Sequence, residues 1–152
     1  MDLPPDFKDL LAEFASAKVE FVIVGGYAVA FHARPRATKD LDIVLLGSAD
    51  NLSRAVHALE RFGAPPVVLK GIGGMSPDEI VYLGQPPLRV DFLRRIDGVD
   101  TEALFANAIS TRWDGVDVRL ISRADLIANK RAVGRPQDRI DAALLERVPA
   151  GF

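Results

Sequence analysis

The chain has 152 residues, a formal net charge of -2, 49% hydrophobic and 26% charged side chains, and no cysteine. This profile predicts one globular domain over residues 1–152, and it excludes a globally basic surface for nucleic acid, disulfides and cysteine metal sites. The acidic, proline-bearing N-terminus is unlike a signal peptide and no apolar run approaches the roughly 20 residues of a membrane span, so we expect a soluble, cytoplasmic protein.

The first half of the chain predicts alternating helices and strands. It opens with an apolar stripe at helical spacing, formed by Phe7, Leu10, Leu11 and Phe14. The β-branched run at residues 19–24 predicts a buried strand, and residues 27–32 predict a short buried helix. A second strand is expected at residues 40–46, followed by the clearest helix at residues 48–62.

The second half predicts shorter elements. Short strands are expected at residues 67–69 and 80–83, around a glycine-rich loop at residues 71–74 that is either a flap near the site or a hairpin connection. A firmer strand covers residues 88–96. The remaining elements are expected as a helix at 100–109, a strand at 116–121, a helix at 122–133 and a final helix after Pro136 with the stripe Ile140, Ala143, Leu144 and Val148. Without a strict βαβ rhythm, this order favours a mixed sheet flanked by helices.

Two acidic residues, Asp40 and Asp42, stand two positions apart on the second predicted strand. Alternate residues of a strand face the same side, so the two carboxylates repel each other unless a cation lies between them. Magnesium prefers oxygen ligands and commonly binds one or two carboxylates together with substrate phosphates. The alternative is a solvated strand end, but Val44 and Leu46 continue the same face as an apolar surface. The pair therefore predicts a Mg²⁺ site.

The dipeptide Gly25-Gly26 ends one predicted strand and begins a helix. Backbone N–H groups at a helix start are unpaired and the helix dipole favours anions, while glycine lets a phosphate approach closely. The alternative is a tight turn with no ligand. The pattern is neither a Walker loop nor a Rossmann G-x-G-x-x-G.

In combination, these motifs resemble the nucleotidyltransferase superfamily with the polymerase-beta-like fold, especially its small AbiEii-type members from bacterial toxin–antitoxin and abortive-infection systems. The resemblance rests on Gly25-Gly26, on R-x-T-x-D-x-D from Arg36 to Asp42, and on Asp91 between two apolar residues. It also rests on the tail LISRADLIANKRAVGRPQDRIDAALL, with D-L-x-x-x-K and G-R-x-x-D-x-x-D, so that it covers nearly the whole chain. It implies an α/β nucleotidyltransferase fold with a mixed sheet.

The resemblance also implies roles for individual residues. Asp40, Asp42 and Asp91 would be the catalytic and metal-binding carboxylates of a two-metal Mg²⁺ site, with Asp91 activating the incoming hydroxyl; the alternative for Asp91 is an edge-strand surface position. Nucleotide-binding roles fall on Gly25, Gly26, Arg36, Thr38 and Lys130. For Lys130 the alternative is a favourable charge at a helix end. Arg135, Asp138 and Asp141 are interpreted as structural partners.

The implied activity is Mg²⁺-dependent transfer of a nucleoside monophosphate from a nucleoside triphosphate, ATP among the candidates, to an acceptor hydroxyl. The acceptor would be RNA or protein, and a cognate antitoxin is an expected partner. One alternative is a catalytically inactive nucleotide-binding or interaction module of a two-component operon. A less favoured one is an antibiotic-modifying transferase, which needs an acid-lined pocket for a polycationic acceptor, and no acidic cluster is evident in the sequence.

Overall fold

The computed structural model describes residues 2–34 and 37–149, and within them the chain forms seven helices and one mixed sheet of six strands. The helices are α1 (Pro5–Ser16), α2 (Gly25–His32), α3 (Ala49–Phe62), α4 (Pro66–Gly73), α5 (Thr101–Asn107), α6 (Arg123–Val133) and α7 (Pro136–Glu146). The strands are β1 (Phe21–Val24), β2 (Asp40–Leu45), β3 (Val81–Gln85), β4 (Leu88–Leu93), β5 (Ile109–Trp113) and β6 (Val116–Leu120). The predicted mixed α/β class is confirmed.

The sheet places the two strands of the central motif side by side. Its order is β3-β4-β2-β1-β6-β5. Strand β1 runs antiparallel to β2 and parallel to β6, while β2 runs parallel to β4. The end of β1, the beginning of β2 and the middle of β4 therefore meet in one region of the sheet.

The core forms where α1 packs on the sheet. All four residues of the α1 stripe are buried, as its spacing predicts, and so is every residue of β1. Phe14 lies with its ring centroid 5.5 Å from that of Phe21 and 6.0 Å from that of Phe92, which joins the helix to β1 and β4. Burying a large apolar side chain contributes about 1.5–3 kcal/mol to stability, so these rings stabilise the packing of α1 on one face of the sheet. None of the helices in the described ranges is long and apolar enough to cross a membrane.

Helix α3 is attached to the sheet through a buried asparagine that the sequence does not reveal. As predicted, Ser48 caps the helix and Gly63 ends it in the left-handed conformation. In addition, the Asn51 side-chain amide donates to the carbonyls of Glu20 (2.9 Å) and Leu46 (2.8 Å). Its oxygen accepts the Glu20 N–H at 2.7 Å. Because Asn51 is 1% exposed, these bonds hold the entrance of β1 and the exit of β2 to the same helix.

The strand predicted at residues 67–69 is wrong, because these residues lie in helix α4. A proline at the first helical position fits a helix start, and Val68 and Ile72, one turn apart, form its buried side. The glycine-rich stretch continues this helix as far as Gly73 instead of forming a flap or a hairpin connection. A Cβ at Gly71 would lie 3.3 Å from Val81 Cγ2, so the glycine lets α4 pack closely against β3.

The helix predicted at residues 100–109 is too long at its C-terminal end. It stops at Asn107, and Ile109 begins β5, an edge strand that pairs antiparallel with β6. Most of β5 is exposed and only its last residue, Trp113, is buried, so the strand lacks the alternation by which a strand is recognised. Trp113 packs against Tyr27 and Phe31 at the end of that strand.

The apolar stripe predicted for α7 is not its buried face. Ile140 is 61% exposed, whereas the buried residues of the helix are Asp138, Asp141, Ala142 and Leu145. Two carboxylates point inward because Lys130 on α6 contacts both of them and Arg135 contacts Asp138. Hydrophobic periodicity does not detect a helix face that carries buried charge.

Candidate active site

The register of β2 and β4 brings the predicted carboxylates together. Asp42 lies directly opposite Asp91, and Asp40 lies opposite Arg89. Since alternate residues share a face of the sheet, all four side chains stand on the same side. Strand β1 adds the glycine turn, because Val24 pairs with Asp42 just before α2 begins.

Gly25 fits this position because it has no side chain. Its φ is +71°, and a Cβ there would lie 2.1 Å from Asp42 Oδ2. It also opens α2, where no side chain caps the first N–H groups. These donors and the positive end of the helix dipole suit an anion. Gly25, Gly26 and Thr38 line one cavity at this end of the site. Arg36 lies outside the described residues.

The carboxyl group of Asp42 is strongly perturbed. Burial is the largest cause that raises its pKa, and the charges of Asp91 and Asp40 raise it further. Lys130 and Arg89 act in the opposite direction, and the resulting pKa is about 7. Near neutral pH this group therefore retains a proton in part of the molecules, and a cation beside it would displace that proton.

Arg89 is a site residue that the sequence analysis missed. Its Nε donates to Asp91 Oδ1 at 2.7 Å, and its Nη2 donates to Asp91 Oδ2 at 3.1 Å and to Asp40 Oδ2 at 3.3 Å. The guanidinium carbon lies 4.6 Å from the ring centroid of Tyr82. The hydrogen bond to Asp91 is the first cause of the raised pKa of Arg89. The two-residue spacing from Asp91, which puts both on one strand face, is the signal that could have identified it.

Lys130 lies near this site with its charge already paired. Its Nζ is 3.3 Å from Asp138 Oδ1 and 3.2 Å from Asp141 Oδ2, and all three residues are buried. Arg135 donates from Nε to Asp138 at 2.8 Å, and this bond, followed by that from Lys130, lowers the pKa of Asp138. Of the two carboxylates predicted to be structural, Asp138 thus binds both Lys130 and Arg135, and Asp141 binds Lys130. The phosphate-binding role of Lys130 stays a prediction.

A continuous trough runs from the glycine turn past the carboxylates. It consists of two adjoining cavities of about 450 and 380 Å³ that share Gly25, Asp40, Asp42 and Lys130 in their walls. A third cavity of about 370 Å³ continues from it and shares Ile96 with the carboxylate section. Each is within the usual size range of ligand pockets, about 300–1,000 Å³.

The residues of this trough fit a divalent cation by their chemistry. They supply carboxylate oxygens, the donors that Mg²⁺ prefers, and burial, followed by the charges of Asp91 and Asp40, raises the pKa of Asp42. The Arg89 guanidinium is a stand-in cation between Asp40 and Asp91. Within residues 2–34 and 37–149, no three His, Cys, Asp or Glu side chains converge as a set of metal ligands. Both oxygens of Asp91 are bonded to Arg89, and the metal-binding role of the three aspartates stays a prediction.

Solved structures with this architecture were then compared with the chain. The lincosamide antibiotic adenylyltransferase LnuA, bound to lincomycin, matches with a TM-score of 0.63 and 16% identity over 97% of this chain and 99% of that one. The antibiotic-resistance factor ANT(2'')-Ia in solution matches with a TM-score of 0.60 and 15% identity, over 92% and 80% of the two chains. The chain has a nucleotidyltransferase fold. ANT(2'')-Ia in complex with adenylyl-2''-tobramycin gives a TM-score of 0.57 and 14% identity, over 91% and 84%.

The nucleotidyltransferase fold agrees with the superfamily suggested by the motifs, but the likeness does not single out the AbiEii-type members. No protein-family model and no curated protein sequence matches the chain. At identities of 14–16% the structural likeness establishes the fold. What the trough binds and transfers must be argued from its own residues.

Proposed function

We propose that the chain is a Mg²⁺-dependent nucleotidyltransferase that moves a nucleoside monophosphate from a nucleoside triphosphate to an acceptor hydroxyl. The observation that carries this proposal is the position of Asp40, Asp42 and Asp91 beside the uncapped start of α2. Carboxylates repel a triphosphate unless a cation lies between them, whereas the first N–H groups of a helix attract it. A phosphate ligand with a divalent cation satisfies both parts of the trough.

The chain's own residues then have defined tasks. The turn at Gly25 and Gly26 binds the triphosphate, and Asp91 accepts the proton of the acceptor hydroxyl. The acceptor oxygen forms a bond to the α-phosphorus, the bond from that phosphorus to the α,β-bridging oxygen breaks, and pyrophosphate leaves with the electron pair. Mg²⁺, held by Asp40, Asp42 and Asp91 when bound, neutralises phosphate charge and helps to align the attack.

The acceptor, we propose, is a small hydroxyl-bearing molecule in the third cavity. The chain segments that carry Asp78, Glu79 and Asp97 meet around that cavity, although the sequence alone shows no acidic cluster. Arg95 neutralises Asp78 at 2.8 Å, so the remaining acids suit an acceptor with a basic group. Two of the similar structures are described with lincomycin or with a tobramycin adduct, which supports this class. RNA or protein acceptors and an antitoxin partner are the alternatives predicted from the motifs.

The first test is nucleotide binding. The melting temperature of the protein is measured with each of the four ribonucleoside triphosphates, with and without Mg²⁺. A ligand that binds only the folded state raises this temperature. We expect a Mg²⁺-dependent rise that Asp40→Asn removes and that Asp117→Asn, a change of an exposed carboxylate on β6, retains. No rise with any nucleotide would favour an interaction module without nucleotide chemistry.

The second test is transfer. The preferred nucleotide, labelled at the α-phosphate, is incubated with aminoglycosides, lincosamides, total RNA or protein extract. Label in a small-molecule product, with equimolar pyrophosphate, supports the proposal, and label in RNA or protein supports the toxin-like alternative. Binding without transfer to any acceptor favours the catalytically inactive nucleotide-binding module. Asp91→Asn should abolish transfer, and retention of full activity in this variant would falsify its assignment as the base.

A further inference from the structure

Arg89 holds a position that conflicts with the proposed use of the carboxylates. Its guanidinium bonds to both oxygens of Asp91 and also reaches Asp40. Such a two-bond fork is the strongest arrangement of an arginine with a carboxylate. While it persists, Asp91 cannot offer either oxygen freely to a metal ion or to an acceptor proton.

We propose that Arg89 is a positioning residue that occupies the cation site of the free protein and releases Asp91 when a divalent cation binds. It thereby sets the affinity of the site for that cation. This inference rests on the proposed function, because it concerns the same carboxylates.

The competition follows from charge. An arginine keeps its proton under all ordinary conditions, and the bonds to Asp91 strengthen that tendency. The guanidinium and a divalent cation therefore cannot share the same carboxylate oxygens without strong repulsion. Since Arg89 cannot lose its charge, it can yield only by moving.

The surroundings of Arg89 leave room for that movement. Its side chain is 31% exposed, and its partner across the strand pair is Gly84, which has no side chain. Tyr82 lies on β3, where it pairs with Asp91 of β4. It is 51% exposed, and the guanidinium of Arg89 already lies over its ring. A guanidinium that leaves Asp91 can thus remain over the aromatic face, where a cation is attracted to the ring. The backbone pairing of β3 and β4 does not have to change.

The test is a titration with Mn²⁺ in the absence of nucleotide, followed by the electron paramagnetic resonance of the free ion. We expect Arg89→Met to bind Mn²⁺ about tenfold more tightly than the wild type, because a competing charge next to the ligands is gone. Arg89→Lys keeps the charge but not the two-bond fork, so its affinity for Mn²⁺ should lie between those of the wild type and Arg89→Met. Arg112→Met removes an equal charge from the exposed edge strand β5, at the far side of the sheet from β4, and should bind like the wild type. Equal or weaker binding by Arg89→Met overturns the proposal.

A second measurement on the wild type does not depend on the variant folding. The Nε–H of Arg89, bonded to Asp91, should give a distinct nitrogen–proton signal that shifts or broadens as Mg²⁺ is added. A signal that stays unchanged at saturating Mg²⁺ contradicts release. Asp42→Asn separates the two proposals: if it abolishes Mn²⁺ binding while Arg89→Met changes nothing, only the role of Arg89 fails. If the wild type binds no Mn²⁺, with or without ATP, both fail.

Discussion

The raised pKa of Asp42 predicts that this residue destabilises the metal-free protein as pH increases. In the folded chain its pKa is about 7, against the ordinary aspartate value of 3.8. The folded state therefore binds more protons than the unfolded state between these two values, so the free energy of unfolding falls as pH rises through them. Asp42→Asn removes this titration with little change in shape. We expect the variant to gain stability relative to the wild type as pH increases.

The size of the effect follows from the difference between the folded-state and unfolded-state pKa values of Asp42. From about pH 5 to about pH 7 the unfolded carboxyl is ionised while the folded carboxyl still holds most of its proton, and each of these roughly two pH units is worth about 1.4 kcal/mol. The difference in unfolding free energy between Asp42→Asn and the wild type should therefore change by about 2.5 kcal/mol across this range. His32, which has a lowered pKa from burial, titrates in both proteins, so its contribution cancels in the difference.

The assay is urea denaturation of both proteins at several pH values in the presence of EDTA. Asp117→Asn, at an exposed and remote carboxylate, is the control and should track the wild type. A difference between Asp42→Asn and the wild type that stays constant from about pH 5 to about pH 8 would refute the reasoning. It would mean that burial and the charges of Asp91 and Asp40 do not raise the pKa of Asp42 in solution. Repeating the series with Mg²⁺ should reduce the difference, because a bound cation favours the ionised carboxylate.

Three further substitutions test the remaining structural arguments. Gly25→Ala should lose Mg²⁺-dependent nucleotide binding because its Cβ meets the neighbouring carboxylate, whereas Gly63→Ala, also at positive φ but in open space, should keep it; equal binding by both in calorimetry would contradict the argument. Asn51→Ala should lower the free energy of unfolding in urea by about 3 kcal/mol, since buried backbone groups lose their partners, and a loss below about 1 kcal/mol would count against it. Lys130→Met should cost about 3–5 kcal/mol because it removes a buried cation that contacts two buried carboxylates, and adding Asp141→Asn should restore part of it; no recovery in the double variant would disprove the pairing.

The parts of the fold that the sequence predicts correctly are those with a strong local pattern. The α1 stripe, the β-branched β1 and the capped α3 each carry their own signal within a few residues. The same holds for the two aspartates at the start of β2, whose spacing alone places them on one face. The strand predicted at residues 67–69 is wrong because an apolar run of three residues fits either a helix or a strand. Strand β5 is missed because an exposed edge strand shows little alternation.

The missed features of the site depend on contacts between distant segments. Arg89 is recognised as a partner of Asp40 only when the register of β2 and β4 is known. Likewise, the inward-facing carboxylates of α7 make sense only with Lys130 from α6 beside them. The acids around the third cavity come from segments about twenty residues apart in sequence. Local periodicity contains none of this information.

Two cations of the trough, Lys130 and Arg89, differ in how easily a ligand can displace them. Lys130 is buried between two carboxylates that are themselves buried, so moving it would take a buried cation away from both of them. Arg89 is one-third exposed, lies on an aromatic ring and is bonded to a less buried pair, Asp40 and Asp91. Releasing it exposes those carboxylates to solvent or to an incoming cation at much lower cost. A divalent cation should therefore displace Arg89 and leave Lys130 in place between Asp138 and Asp141.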